Sequence, residues 1–219
     1  MLKIYGVYRS RATRPLWLLE EVGQAYEVVP VIQAYRLPEP MAPGAPINTL
    51  SPEFLAVNPM GSIPSMDDDG FILHESLAIS LYLARKFGGE LGPRDIPEEG
   101  SMLQWSLFAA TSIEAVALKI QSTLSGGKAE TEEGKAEITV AARTLKRPFD
   151  VLEKHLSANS HMVAGRFTVA DINVAEIVRY AQGHAPLFDN RPALKAWLEA
   201  CQARAGFQAM WEKRAAEPA

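Results

Sequence analysis

The stretch NPMGSIPSMDDDGFILHES, residues 58–76, decides the fold. Ile63–Met66 and Phe71–His74 read as two short strands, and Asp69-Gly70 reads as the tight turn between them, because glycine tolerates the positive φ that a two-residue hairpin needs. Glu75 then opens a helix that runs to Phe87 and is closed by Gly88-Gly89. The two ends of the stretch carry different chemistry. Pro64 has no N–H, so the strand ladder breaks beside it and leaves backbone polar groups for a ligand; the plainer alternative is an edge-strand proline. Glu75 and Ser76 place a carboxylate and a hydroxyl at a helix start, where free N–H groups and the helix dipole favour an anion. Ser76 could equally be an ordinary cap, and one hydroxyl can cap and bind.

Before this stretch, strand and helix alternate. Leu2–Gly6 reads as a strand, 14–23 (RPLWLLEEVG) as a helix with Gly23 just past its end, and 26–31 (YEVVPV) as a second strand. A strand, a helix and a strand at this spacing imply a parallel pair. Residues 33–50 carry Pro38, Pro40, Pro43 and Pro46 and form a long loop; long loops in compact domains are often functional. SPEFLAVN, 51–58, is a short helix or turn.

Residues 89–98 shift to glycine, proline and acid and read as a linker between a domain at 1–88 and a helical domain at 99–219. Trp105, Phe108, Ala109, Ser112, Ile113, Val116 and Ile120 follow helical spacing, as do Ile138, Ala142, Leu145, Phe149, Leu152 and Leu156. Pro148 should kink or split that second helix. In FTVADINVAEI, 167–177, Thr168 and Asp171 fit a capping box, with Phe167 and Ile172 at the hydrophobic-staple positions. Pro192 starts a late helix with Leu194, Trp197, Leu198 and Cys201 on one face. The fold class is therefore α/β in the first domain and all-α in the second.

The chain has 219 residues, 47% hydrophobic, with 22 basic and 26 acidic side chains and a formal charge of -4. That composition fits a globular core, and no basic run marks a nucleic-acid track. No apolar stretch approaches the ~20 residues of a membrane span. The N-terminal segment reads as strand rather than secretion leader, and one cysteine excludes an internal disulfide or a Cys-x-x-Cys pair. A cytoplasmic location is expected. Cys201 is expected to be a buried structural thiol. Asp67-Asp68-Asp69 lacks the glycine and distal glutamate of a calcium loop and reads as a solvated turn. The four histidines have no ligand spacing, so no metal site is expected.

YRSRATRPLW near the end of the first strand, NPMGSIPS, Glu75-Ser76 and the FTVAD helix start resemble, in this order and spacing, a cytosolic glutathione transferase over nearly the whole chain. The resemblance implies a thioredoxin-like N-terminal domain and a helical C-terminal domain. It implies a cis Pro64, Ile63 pairing its backbone with the cysteinyl part of glutathione beside Ser62, and Glu75 and Ser76 holding the γ-glutamyl end. Ser10 matches the serine-type activating position, with Thr13 and Tyr8 as competing hydroxyls and Arg11 or Arg14 as possible sources of positive potential. An ordinary capping role is the alternative for Ser10. Lowering a thiol from ~8.5 by about two units requires roughly 2.7 kcal/mol. One hydrogen bond to the anion at ~1.5–3 kcal/mol, with ~0.3–1 kcal/mol from a helix start, suffices.

Some serine-type relatives carry Lys where Ser62 stands, which leaves Arg36 as a substitute contact for the glycyl carboxylate. Trp105, Phe108 and Ser112 would border the pocket for an electrophilic, partly apolar substrate; core packing is the other reading of those residues. Glutathione would be a co-substrate, with no further cofactor, and a homodimer serving detoxification is implied. The rivals are a glutathione-binding scaffold with little turnover and a glutathione-dependent isomerase, dehalogenase or peroxidase.

Overall fold

The computed structural model describes residues 1–217, which form two compact units. The first contains residues 1–89 together with residues 205–217; the second is Glu90–Arg204.

In the first unit, β1 (Leu2–Gly6) lies between β2 (Glu27–Pro30), parallel to it, and β3 (Ser65–Asp68), antiparallel; β4 (Phe71–His74) closes the order β2-β1-β3-β4. The parallel β1–β2 pair follows from the helix α1 (Thr13–Val22) that joins them, ending at Gly23 in the left-handed conformation (φ 65). A 3-10 turn at Ala34–Arg36 and the short helix α2 (Pro52–Leu55) precede β3, and α3 (Ser76–Phe87) follows β4. The long loop is built on buried Asn48, whose Nδ2 donates to the carbonyls of Pro40 and Pro46 at 2.8 and 2.9 Å. Ile4, Leu16, Leu18, Met66, Ile79 and Leu83 form the core, all 0% exposed.

The hairpin turns at Asp69 (φ 51) and Gly70 (φ 94), both positive as a two-residue turn requires. Its first strand begins at Ser65, two residues later than the sequence suggests, with Ser65 opposite His74. Pro64 has no N–H to give the ladder, and the Ile63–Pro64 bond is cis. The acidic turn is not wholly solvated either. Asp68 is 7% exposed and accepts from Tyr82 Oη at 2.6 Å and from Lys86. Its carboxyl is held below its ordinary range against the opposing effect of burial, by hydrogen bonds from Lys86 and Tyr82.

The second unit is helical: α4 (Ile96–Ala109), α5 (Ala115–Ser125), α6 (Glu132–Ala158), α7 (Val169–Val178) and α8 (Pro192–Gln202). A five-residue π turn, Ala110–Glu114, interrupts the helix expected to run unbroken past Trp105. Each π turn takes in extra chain, so the residues after it rotate relative to those before. Pro148 does not split α6, which is continuous from Glu132 to Ala158. Pro148, Phe149, Leu145, Leu152 and Leu156 are all buried on one face, and that packing outweighs the roughly 3 kcal/mol cost of an interior proline. The capping box at Thr168 and Asp171 is present. Asp171 is fully buried and accepts from the N–H groups of Met162 and Thr168 and from Trp197 Nε1, each at 2.9 Å. Phe167 and Ile172 are buried at the staple positions, and Cys201 is buried on α8 beside Leu194, Trp197 and Leu198.

The unit boundaries differ from the expected linker. Asp95 caps α4 by accepting from the Glu98 N–H at 2.8 Å. Arg166 donates to the Glu90 and Gly92 carbonyls and to the Glu98 carboxylate. Residues 90–98 are thus fastened to the second unit. At the other end, α9 (Ala205–Ala216) belongs with the first unit. Phe207 packs edge-on against Trp17 at 5.0 Å, and α9 approaches α1 so closely at Gly206 that a Cβ there would meet Glu21 Cγ at 2.6 Å. Trp17 is 0% exposed under this cover. The side-chain chemistry that recruits α9 is aromatic and lies almost two hundred residues away in sequence.

Candidate functional site

Three segments of the first unit converge where β1 ends. Gly6 has φ 154, and a Cβ there would meet the Cβ of Ala12 at 3.3 Å, tighter than an ordinary contact, and that of Ile63 at 3.6 Å, so a glycine lets the β1–α1 loop and the Ile63–Pro64 segment come together without strain. The third segment, the start of α3, is tied in by Arg14. Its guanidinium is 1% exposed, and Nη1 donates to Ser76 Oγ at 2.8 Å. Arg14 thus places a positive charge behind the N-terminus of α3. Because Ser76 Oγ accepts from Arg14, its own proton remains to be donated, and among the described residues no acceptor takes it.

Glu75 precedes Ser76 with φ 70 and ψ 113, a conformation a non-glycine residue adopts at a cost of about 1–3 kcal/mol. Its side chain is exposed and makes no cap bond. The strained backbone turns this carboxylate out to solvent while the next residue starts the helix. Such strain is concentrated where a side chain must be held for a ligand.

Ile63 is half-buried, and no hydrogen bond in the described chain uses its N–H or carbonyl. That is the unpaired backbone the sequence points to beside the proline. Ser62 is exposed, and its carbonyl accepts from Asn58 Nδ2 at 2.7 Å. Asn58, to which the sequence reading assigned no role, organises this turn: fully buried, it also donates to Ser65 Oγ at 3.1 Å and accepts from the Met60 N–H at 3.0 Å. An Asn followed by Pro is a recognisable turn signal, and that was the available clue.

Ser10 sits in the β1–α1 loop, half-buried. Its Oγ donates to the Val7 carbonyl at 2.6 Å and accepts from the Ala12 N–H at 3.0 Å. The hydroxyl is therefore presented just before α1, with its proton resting on a neutral carbonyl that a stronger acceptor could replace. Thr13, 0% exposed, donates its hydroxyl to the Ser10 carbonyl at 3.1 Å and supports the same turn.

Tyr8 points into a different cluster. Tyr26 Oη donates its single proton to Glu20, so at the 3.0 Å contact between the two phenols Tyr8 is the donor. Lys213 completes the cluster on Glu20. Burial pushes both phenols up, Tyr26 further than Tyr8 and with help from its hydrogen bond to Glu20. Both stay protonated at neutral pH. A shallow groove of about 440 Å³ lies over this cluster.

Arg36 is exposed on the 3-10 turn, with Nη1 3.5 Å from Gln33 Oε1, while Gln33 Nε2 reaches the Arg9 carbonyl at 3.4 Å. The long loop thus meets the Ser10 loop through Gln33. Arg11 is exposed.

Trp105, Phe108 and Ser112 belong to the second unit. Trp105 and Phe108 are half-buried and meet edge to face at 5.7 Å, and Trp105 also packs on His155 of α6 at 4.6 Å. Ser112 is exposed inside the π turn. The regular α-helical spacing read across the three residues is interrupted before Ser112 by that turn. Among the described residues no cluster of His, Cys, Asp and Glu could hold a metal ion, and no helix is long and apolar enough to cross a membrane.

Comparison with known proteins accords with these two units. Residues 4–91 match the family model described as glutathione S-transferase, N-terminal domain, and residues 106–205 match glutathione S-transferase, C-terminal domain. The chain is 32% identical over 219 residues to glutathione S-transferase 3 of Zea mays, covering 94% of this chain and 91% of that protein. Among solved structures it resembles glutathione transferase F7 of Populus trichocarpa, with TM-score 0.80 and 26% identity over 98% of this chain and 99% of that one. It also resembles a glutathione S-transferase I bound with lactoylglutathione, with TM-score 0.80 and 27% identity over 97% and 99% of the two chains.

Proposed function

The chain belongs to the glutathione S-transferase family and is a glutathione transferase, and from that premise we propose how its own residues do the work. Glutathione lies along the converging segments of the first unit. Its γ-glutamyl carboxylate takes the proton of Ser76 and the free N–H groups at the start of α3, with Arg14 behind them. Its ammonium meets Glu75. Its cysteinyl backbone pairs with the N–H and carbonyl of Ile63, beside Ser62 and Pro64, and Arg36 reaches the glycyl carboxylate. The observation that carries this reading is the Arg14–Ser76 hydrogen bond, which joins the first turn of α1, just after the loop bearing Ser10, to the start of α3.

At the sulfur, Ser10 transfers its hydrogen bond from the Val7 carbonyl to the thiolate. The thiol proton leaves to solvent, and the sulfur pair forms a bond to an electrophilic carbon of a partly apolar substrate. The leaving group departs with its bonding pair, or in an addition that pair moves onto the acceptor and is protonated. Ser10 keeps its own proton throughout, so hydrogen bonding and not proton abstraction is its contribution. Trp105, Phe108 and Ser112 are proposed to border the electrophile. We further propose that the protein is a cytoplasmic homodimer serving detoxification, a reading its membership of the family supports.

The test is titration with glutathione while the ultraviolet absorbance of the thiolate is followed as pH is varied. A bound thiol ionising well below the free value of ~8.5 supports the transferase mechanism. Binding without that shift would make the protein a glutathione-binding scaffold, and absence of binding would remove the proposed site.

A further inference from the structure

We propose that Glu217 is a positioning residue for the loop that carries Ser10, an inference that rests on the reading of Ser10 as the hydroxyl on the thiolate. Its carboxylate accepts from two successive backbone N–H groups, Tyr8 to Oε1 at 2.6 Å and Arg9 to Oε2 at 2.8 Å. Both bonds are charge-assisted, the strong class. Two consecutive N–H groups converging on one anion form a small anion-binding nest, filled here by a side chain from more than two hundred residues later in the chain.

Two neutral bonds also reach this loop, Tyr8 Oη to Tyr26 Oη at 3.0 Å and Gln33 Nε2 to the Arg9 carbonyl at 3.4 Å, but Glu217 holds its backbone through two charge-assisted bonds. Both side-chain bonds of Ser10 are local, to Val7 and Ala12, and so orient the hydroxyl relative to the loop but not the loop relative to the unit. The Arg9 guanidinium adds no fixed point: its buried Nε has no hydrogen-bond partner among the described residues. Glu217, in contrast, follows directly on α9, which is fixed to α1 by the Trp17–Phe207 contact and by Lys213 on Glu20. The same helix α1 starts three residues after Ser10. The C-terminal segment thus holds both the helix and the loop that precedes it. Small displacements of a catalytic group are costly to rate.

The sign of the effect separates positioning from charge. If Glu217 acted as a nearby negative charge, removing it would favour the thiolate and lower the thiol pKa. If it positions Ser10, removing it weakens the hydrogen bond and raises that pKa. In the full chain, Glu217→Ala is expected to raise the pKa of bound glutathione by ~0.3–0.5 units. The thiolate fraction then falls about twofold at pH ~6.5 and hardly at all at pH ~9, with less than a twofold change in glutathione affinity. Glu217→Gln keeps one acceptor oxygen and the side-chain length; it falls between the native protein and the alanine variant, and it serves if the alanine variant folds poorly.

The decisive arm combines each change with Ser10→Ala. If Glu217 acts through Ser10, its replacement adds no further shift once the hydroxyl is gone. Shifts that simply add, or a thiol pKa that falls or stays put in the single variants, would overturn the inference while leaving the proposed transferase mechanism standing. A native protein that failed to bind glutathione would remove both.

Discussion

Ser10→Ala removes one hydroxyl whose resting partners are known, so its effect can be worked from the structure. In the absence of a ligand the hydroxyl donates to the Val7 carbonyl at 2.6 Å. A bond to thiolate contributes ~1.5–3 kcal/mol, but the neutral bond given up for it contributes ~0.5–1.5 kcal/mol. The net share of the hydroxyl is then about 1.2 kcal/mol, or ~0.9 pKa unit. The start of α1 adds ~0.3–1 kcal/mol. The native bound thiol is therefore expected near ~7.1 rather than the ~6.5 that an uncommitted hydroxyl would allow, and the variant near ~8.0. At pH ~6.5 the thiolate fraction falls about sixfold in the variant; at pH ~9 it falls by only ~10%. Turnover is affected less than the fraction, because a more basic thiolate is a better nucleophile, with a Brønsted slope of ~0.4–0.5 measured for thiol–disulfide exchange. The expected kinetic loss is about two- to threefold at pH ~6.5, and it vanishes or reverses at pH ~9. The direct assay is thiolate absorbance of the bound peptide across pH, with a melting curve as control. The lost bonds to Val7 and Ala12 cost about 1 kcal/mol of stability. A bound thiol pKa unchanged within ~0.2 units, or a rate loss of the same factor at both pH values, would refute the thiolate role of Ser10.

Tyr8→Phe is expected to change transferase rate less than about twofold, because the Tyr8 proton is committed to Tyr26; a large loss would return Tyr8 to the sulfur. Arg14→Met, which keeps most of the buried volume, should weaken glutathione binding by roughly 100- to 300-fold in calorimetry. A full charge about 5 Å from the ligand carboxylate contributes ~3 kcal/mol at an effective dielectric of ~20, and affinity unchanged within twofold would show that the carboxylate lies elsewhere. In the second unit, hydrogen bonds from Arg166 and the Arg94 N–H hold Glu98 at about 2. A depressed acid pKa stabilises the fold above the ordinary glutamate range and loses that contribution as pH falls towards the folded value. The melting-temperature gap between native protein and Arg166→Met should therefore be constant above pH ~5 and narrow between ~4.5 and ~2; a gap independent of pH would place the contribution of Arg166 in its carbonyl contacts alone. Asp171→Ala leaves three buried donors without their acceptor and should cost at least ~3 kcal/mol in denaturant unfolding; a loss under ~1 kcal/mol would mean that water or a neighbouring group replaces the carboxylate.

What the sequence makes legible is what nearby residues decide. The parallel β1–β2 pair follows from a strand, a helix and a strand at short spacing. The hairpin follows from Asp69-Gly70, the α7 start from Thr168 and Asp171, and the unpaired Ile63 backbone from Pro64. The features that were not legible depend on pairings across the fold. Asp68 looks like part of a solvated acidic run until Lys86 and Tyr82, on α3, are brought over it. Arg14 is one of several arginines near Ser10 until the packing of α1 against α3 aims it at Ser76. Pro148 signals a break by local rule, and only the apolar face buried around it explains the continuous helix. The π turn at Ala110–Glu114 has no local marker in composition at all.

Because α9 completes the first unit, that unit is discontinuous in the chain: it is left at Gly89 and re-entered at Ala205. This constrains the order of events during synthesis. At ~5–20 residues per second, on the order of ten seconds separate emergence of the sheet from emergence of the helix that covers it. Throughout that interval Trp17 has no Phe207 to pack against. The early part of the chain must wait, partly open, while the helical unit is made and folds. Residues 1–89 expressed alone would present the same uncovered indole, whereas a circular permutation that begins at Ala205 and links α9 directly to β1 would deliver the cover first and let the sheet close as it emerges.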